Sequence, residues 1–180
     1  MRRVSKKYLV VDGYNFINAD PELKGTLGAG LESARVALNQ LLSEYSSFSG
    51  ERGIVVYDAT QSKQLGRRKE QYGGIEVVFT KQHETADTYI ERLVYDLMKD
   101  KSNSVRVVTM DWAEQVLVFG QGGVRVSAKE WRREIEQMKN QLPSYDQRKQ
   151  KVHDRQLGTH IDEKTLKKLI EMTKTRNDGT

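Results

Sequence analysis

Apolar residues along the chain fall into short unbroken runs, separated by longer stretches with helical spacing. Tyr8-Leu-Val-Val11 is β-branched and apolar, closed by Asp12-Gly13, and reads as a buried strand. Gly53 to Tyr57, ended by Asp58, is a second strand, and Ile75 to Phe79 a third. Val105 to Thr109 is a fourth, leading to Asp111, and Val124 to Val126 a fifth. Between them, Leu31 to Phe48 places Leu31, Ala34, Leu38, Leu41, Leu42 and Tyr45 on one helical face, with Gly50 as a stop signal. Glu84 to Met98 is an amphipathic helix with Ala86, Ile90, Leu93, Val94 and Leu97 inward. Trp112 to Phe119 reads as a short helix. Ser127 and Glu130 have capping-box spacing and open a helix that runs to about Leu142, before Pro143. The polar, basic, glycine-punctuated stretch from Gln61 to Gly74 reads as a loop with some helix.

Strands that alternate with helices make βαβ units, hence an α/β fold. Its sheet of about five strands is mainly parallel and covered by helices, since unbroken apolar runs belong to strands buried on both faces. This domain spans 1–142. Residues 143–180 show no strand signal and form a basic helical extension, in which Ile161, Leu166, Leu169 and Ile170 suit one more amphipathic helix.

The chain has 180 residues and no cysteine, which removes disulfides, thiolate metal sites and cysteine nucleophiles. His83, His153 and His160 are scattered without ligand spacing, so zinc is not expected. No apolar run approaches the roughly 18 residues of a membrane span, and the basic start Met1 to Lys7 is followed by too short an apolar stretch for a secretory signal. A cytoplasmic protein with no membrane partner is expected. The net charge of +5, from 30 basic and 25 acidic side chains, leaves an ordinary solvated surface and an anionic partner both open.

Asp12, Asp58 and Asp111 each follow an apolar strand directly or almost directly. Parallel strands end on one edge, so the three carboxylates gather where open α/β sheets bind ligands. Asp87 lies in the first turn of the helix after the third strand, which begins on that edge, with Glu84 and Glu91 nearby. Singly, each aspartate also suits a turn, a cap or a helix-dipole contact. Together they repel by roughly 3 kcal/mol per pair at about 5 Å and an effective dielectric of about 20. A fold that collects them either raises pKa values or binds a cation. Oxygen-only donors suit Mg²⁺ or Mn²⁺, which polarise phosphoryl oxygens and activate water. Gly13 allows a sharp turn close to a substrate, and the Asn15 amide can orient a phosphate or a water.

Tyr14 stands where an aspartyl phosphatase would need its second aspartate. No Walker lysine motif or GxGxxG follows the first strand, so no nucleotide cofactor is expected, and no serine sits in a nucleophile elbow.

Val11-Asp12-Gly13-Tyr14-Asn15, Tyr57-Asp58-Ala59, Phe79-Thr80, Glu84-Thr85-Ala86-Asp87, Asp111 and Phe119-Gly120-Gln121-Gly122 resemble the NYN-domain nucleases of the PIN-like superfamily. The resemblance covers roughly residues 8 to 142 and is closest to the YacP-like bacterial subgroup, which includes a ribosome-associated endoribonuclease that cuts mRNA in the A site. It implies a three-layer α/β/α sandwich and Asp12, Asp87 and Asp111 as catalytic metal-binding residues. It further implies Asp58 as an accessory ligand and Asn15 as the family's asparagine. RNA, specifically mRNA, and the ribosome are the implied partners. The chain departs from the family at Met110, where relatives have a small polar residue before the aspartate.

Lys63, Arg67, Arg68 and Lys69 lie in the connection after Asp58, where cations would hold phosphates flanking the scissile one. Tyr14 and Tyr72 suit stacking on unpaired bases, and equally a core or a solvated loop. Arg125, Lys129, Arg132 and Arg133 form a second basic patch, which Glu130, Glu134 and Glu136 dilute toward an ordinary helix surface. Lys164, Lys167 and Lys168 in the extension are placed to meet ribosomal RNA. The resulting expectation is a metal-dependent endoribonuclease that cleaves single-stranded RNA and leaves 5′-phosphate and 3′-hydroxyl ends. A non-catalytic RNA- or ribosome-binding module and a DNA nuclease of similar architecture stand as alternatives.

Overall fold

The computed structural model describes residues 5–58, 67–110 and 122–141. The chain divides into two units between Met138 and Lys139, and the fold described is that of the first. The expected helix at Trp112 to Phe119 and the extension 143–180 lie outside the described residues.

The apolar runs form strands β1 (Lys7–Asp12), β2 (Arg52–Tyr57), β4 (Ile75–Phe79), β5 (Ser104–Val108) and β6 (Val124–Val126), and all five are mutually parallel. A further strand, β3 (Arg68–Tyr72), lies antiparallel at the edge beside β4 and brings the sheet to six, in the order β3-β4-β2-β1-β5-β6. Its sequence, Arg-Lys-Glu-Gln-Tyr, is polar throughout because it sits on the rim. Gly73 and Gly74 both have positive φ and make the tight turn into β4, with Tyr72 opposite Ile75. The stretch read as a loop therefore contributes a strand.

One face of the sheet is covered by α1 (Gly13–Ala19), α2 (Pro21–Thr26), α3 (Leu31–Ser49) and α5 (Ala128–Gln141). Leu9, Val11, Val55, Tyr57 and Val77 pack there with Phe16, Leu38, Leu42, Trp131 and Ile135. The other face, with Val10, Val56, Val78, Val105 and Val107, packs against Ile90 and Val94 of α4 (Ala86–Met98). Each such buried side chain contributes roughly 1.5–3 kcal/mol by leaving water.

The helix signals act as their chemistry requires. Gly50 takes the left-handed conformation that ends α3. Ser127 and Glu130 exchange capping-box hydrogen bonds at the start of α5. The pair α1–α2 was not evident from periodicity. Its punctuation is Asp20-Pro21, where Asp20 caps α2 through the N–H groups of Glu22 and Leu23, and Pro21 takes the first turn. Among the described residues no helix is long and apolar enough to cross a membrane.

Candidate active site

Asp12 ends β1 level with Val56 of β2, and Val11 is level with Val108 of β5. Strand geometry therefore sets Asp12, Asp58 (just past β2) and the chain leading to Asp111 along one edge. Side chains alternate along a strand: Val11 and Tyr57 belong to the α3 side of the sheet. Asp12 and Asp58 are thus on the α4 side, where α4 presents Asp87 in its first turn.

Asp12 is 7% exposed. It is also the N-cap of α1, its Oδ1 accepting the Asn15 N–H at 3.1 Å. Asn15 in turn reaches across to β5: its Oδ1 accepts the Met110 N–H at 3.0 Å. The asparagine expected to orient a phosphate or a water thus ties the strand-end carboxylate to the backbone that leads to Asp111. At Met110, where relatives have a small polar residue, the bond to Asn15 is made by the backbone and so does not depend on the side chain. That side chain is 51% exposed.

Gly13 has a packing reason that its sequence does not show. A Cβ there would lie 2.3 Å from Cε1 of Tyr57, so the missing side chain makes room for a buried ring. Tyr14 packs on the same ring, with centroids 5.1 Å apart, and its hydroxyl accepts from Arg35 at 3.0 Å. Burial pushes the Tyr57 phenol up, and its hydroxyl donates to Asn39 at 2.8 Å.

Asp58 is half-buried and Asp87 exposed. Asp87 follows the Thr85 cap, so its carboxylate complements the helix N-terminus. Among the described residues no three His, Cys, Asp or Glu side chains come close enough to hold a metal ion together. Asp12, Asp58 and Asp87 therefore do not complete a site by themselves, and Asp111 lies outside the described residues.

Of the basic residues expected to face RNA, Lys63 lies outside the described residues. The other three in that group meet carboxylates. Arg67 Nη2 contacts both oxygens of buried Glu84 at 2.6 and 2.8 Å, and Arg92 joins the same carboxylate. Burial alone would raise the Glu84 carboxyl, but hydrogen bonds from Arg67, Arg92 and the Lys81 N–H hold it down at about 2. Arg68 pairs with Glu70, and Lys69 with Glu76 at 2.8 Å. Arg67, Lys69 and Arg92 also surround the Tyr89 ring. Tyr72 is exposed on β3. Arg125 lies on β6, its Nε buried with no hydrogen-bond partner among the described residues.

Sequence reasoning overlooked Arg92 and the role of Glu84. It also overlooked a cleft of about 440 Å³ beside Met110, whose rim includes Ala19, Pro21, Lys129, Arg132 and Arg133. The four-residue spacing of Lys129 and Arg133 was the available signal.

The chain matches the family model described as YacP-like NYN domain over residues 9–174. It is 42% identical over 134 residues to "Uncharacterized protein YacP" of Bacillus subtilis (strain 168), which covers 74% of this chain and 78% of that one. It is similar to the crystal structure of Rae1 (YacP) from Bacillus subtilis, at 35% identity and a TM-score of 0.67, with 96% of this chain and 95% of that one covered. A tryptophan-to-leucine mutant of the same protein matches at 35% identity and a TM-score of 0.62, with 89% of each covered. The architecture is accordingly a PIN-like α/β/α sandwich.

Proposed function

The chain belongs to the YacP-like NYN domain family, whose domains are of nuclease type, and on that premise we propose that it is a divalent-metal-dependent endoribonuclease. Its substrate is single-stranded RNA, with mRNA on the ribosome as the target in the cytoplasm, as the family resemblance implies. The observation that supports this reading is the buried strand-end carboxylate Asp12, linked through Asn15 to the backbone before Asp111.

The donors available fit a hard cation, because Asp12, Asp58, Asp87 and Asp111 offer oxygen alone. Bound among them, Mg²⁺ or Mn²⁺ supplies charge for the phosphoryl oxygens and an activated water. The chain's own part is positional. The Asn15 main-chain N–H fixes Asp12, and Asn15 Oδ1 fixes Met110, so one residue sets the spacing between β1 and β5 at their ends. Asp87 enters from α4 on the same side, and Asp58 is the accessory carboxylate.

The test is incubation with labelled RNA and single-stranded DNA, in Mn²⁺ or EDTA, with melting curves in parallel. RNA should be cut in Mn²⁺ alone, and Mg²⁺ or Mn²⁺ should raise the Tm. Undiminished cleavage in EDTA without a thermal shift would sink the metal. Preferred cleavage of DNA would make this a DNA nuclease, and binding without cleavage a recognition module.

A further inference from the structure

The sequence alone suggests that acidic residues neutralise the first half of α5, and the structure removes most of that neutralisation. Glu130 is engaged in the Ser127 capping box, and Glu134 in Arg106 and Tyr45. Glu136 pairs with Arg132, which also takes Asp20 at 3.0 Å and Glu22. Lys129 and Arg133 are exposed, and no ion pair or hydrogen bond holds either of them among the described residues, although Arg133 feels the charge of the capping Glu130.

These two cations stand at the cleft beside Met110. Its lining sets three cations, Lys129, Arg132 and Arg133, against two carboxylates, Asp20 and Glu136, which leaves a net positive charge. Ala19, Pro21 and Met110 supply apolar surface, which together with a few polar groups is the make-up of a small-molecule-sized site. The position is equally specific. Thr109 donates to the Val126 carbonyl and Met110 to Asn15, which sets the cleft at the carboxylate edge. Met110 is the peptide neighbour of Asp111.

We propose that this cleft is a subsite for one nucleotide of single-stranded RNA flanking the cleaved bond, with Lys129 and Arg133 on its phosphate and Met110 against its base. The proposal rests on the nuclease reading and adds where the strand lies. An unpaired base offers a π-face that a polarizable thioether can meet, and two cations four residues apart on a helix can clasp one phosphate. The spacing of the site from the chemistry is one residue of chain.

The experiment uses the full chain bearing Asp12→Asn, so that RNA is bound but not consumed, and a labelled single-stranded RNA oligonucleotide titrated at several salt concentrations. Lys129→Ala with Arg133→Ala should weaken binding about tenfold and lower the salt slope by about 0.7, the value for one single-strand phosphate no longer neutralised. Arg52→Ala with Lys101→Ala removes the same charge from exposed residues at the opposite edge of the sheet, and should leave the slope unchanged. Met110→Ala should weaken binding with the slope intact, because a base contact releases no counterions. An unchanged slope in the Lys129/Arg133 variant, or an equal loss in the Arg52/Lys101 variant, overturns the subsite. Cleavage by the otherwise wild-type chain in Mn²⁺ separates the two readings. If it cuts RNA while the Lys129/Arg133 variant binds and cuts as well, the subsite is wrong and the nuclease stands. If it binds RNA through these residues and never cuts, the cleft remains an RNA-binding site, and both the catalytic reading and its place beside a cleaved bond fall. If it neither binds nor cuts, both fall.

Discussion

Two basic regions flank the carboxylate edge, and they have nearly the same composition but opposite availability. On the β3–β4 side, Arg67, Arg68, Lys69 and Arg92 each meet a glutamate, and three of them crowd one tyrosine ring. On the α5 side, Lys129 and Arg133 lack such ion pairs and hydrogen bonds among the described residues: Glu134 and Glu136 are turned to other arginines, and Glu130, bonded into its cap, meets Arg133 only through its charge. A cation already neutralised gains less from a phosphate than one that is not, since the phosphate must compete with a carboxylate already in place. Counting basic residues therefore does not locate an RNA surface; asking what each is bonded to does.

The comparison assumes that chemistry lies between the two regions, and the largest expected effect tests that. Asp12→Asn and Asp87→Asn should each lower cleavage by orders of magnitude while RNA binding largely survives. Both keep the fold: Asn is a good N-cap for α1, and Thr85 rather than Asp87 caps α4. The double variant should be little worse than either single one, because both act through one metal. A variant that melts early and cuts normally per folded molecule would make its aspartate structural.

Glu84→Gln sharpens the other half of the contrast, by treating the β3–β4 side as architecture. Weakening charge-assisted hydrogen bonds to Arg67 and Arg92 should cost about 1.5–3 kcal/mol of stability at neutral pH. The sign with pH follows from the lowered carboxyl, about 2 folded against 4.5 for the ordinary group. Its stabilisation is complete above 4.5 and lost as pH falls toward 2. Tm profiles of wild type and variant should therefore converge through that window, with RNA affinity equal at pH 7. A variant that melts like wild type yet loses RNA would reverse the assignment of the two regions.

A smaller effect is expected at the hinge between the α5 cleft and the carboxylates. Asn15→Ala removes the acceptor for the Met110 N–H, a bond worth about 0.5–1.5 kcal/mol. Cleavage should fall about tenfold, with Asn15→Asp, which keeps the acceptor, retaining more. Equal activity in all three proteins would leave Asn15 a residue of the first turn of α1 with no part in cleavage.

Much of this was legible in the chain, for reasons that differ by element. The four inner parallel strands announced themselves because strands buried on both faces must be apolar throughout, as Ile75 to Phe79 is at nearly every position, while β6 on the far edge showed only as Val124 and Val126 after a glycine turn. The carboxylate edge followed, since parallel strands share an end. β3 was hidden because an edge strand is free of that demand, although Gly73-Gly74 before Ile75 is a hairpin signal in its own right. The pairing of cations was out of reach of spacing. Lys69 meets Glu76 only because β3 folds back on β4 in a register that sets Gln71 opposite Glu76, making the two charges diagonal neighbours. Arg67 and Arg92 converge on Glu84 only once β3 and α4 flank it.

The smallest expected effect is also the most direct attempt to break the comparison. Arg68→Ala with Lys69→Ala removes two cations, the same number as the Lys129/Arg133 variant, from the opposite side of the edge. Both are exposed and paired with carboxylates that are themselves partly exposed, and pairs of this kind contribute about 0–1 kcal/mol. Stability should thus change little. RNA affinity should change little as well, because removing each cation also leaves its glutamate to repel the strand only from the outer rim. The measurement is the slope of log affinity against log salt, which reports phosphate neutralisation and is insensitive to a fold that is slightly softer. A slope equal to the unsubstituted protein's keeps the two regions distinct. A slope lowered by about 1.4, the value expected when two cations no longer meet single-strand phosphates, would mean that phosphates displace Glu70 and Glu76 when RNA arrives, and that ion pairing in the unbound chain does not predict the binding surface.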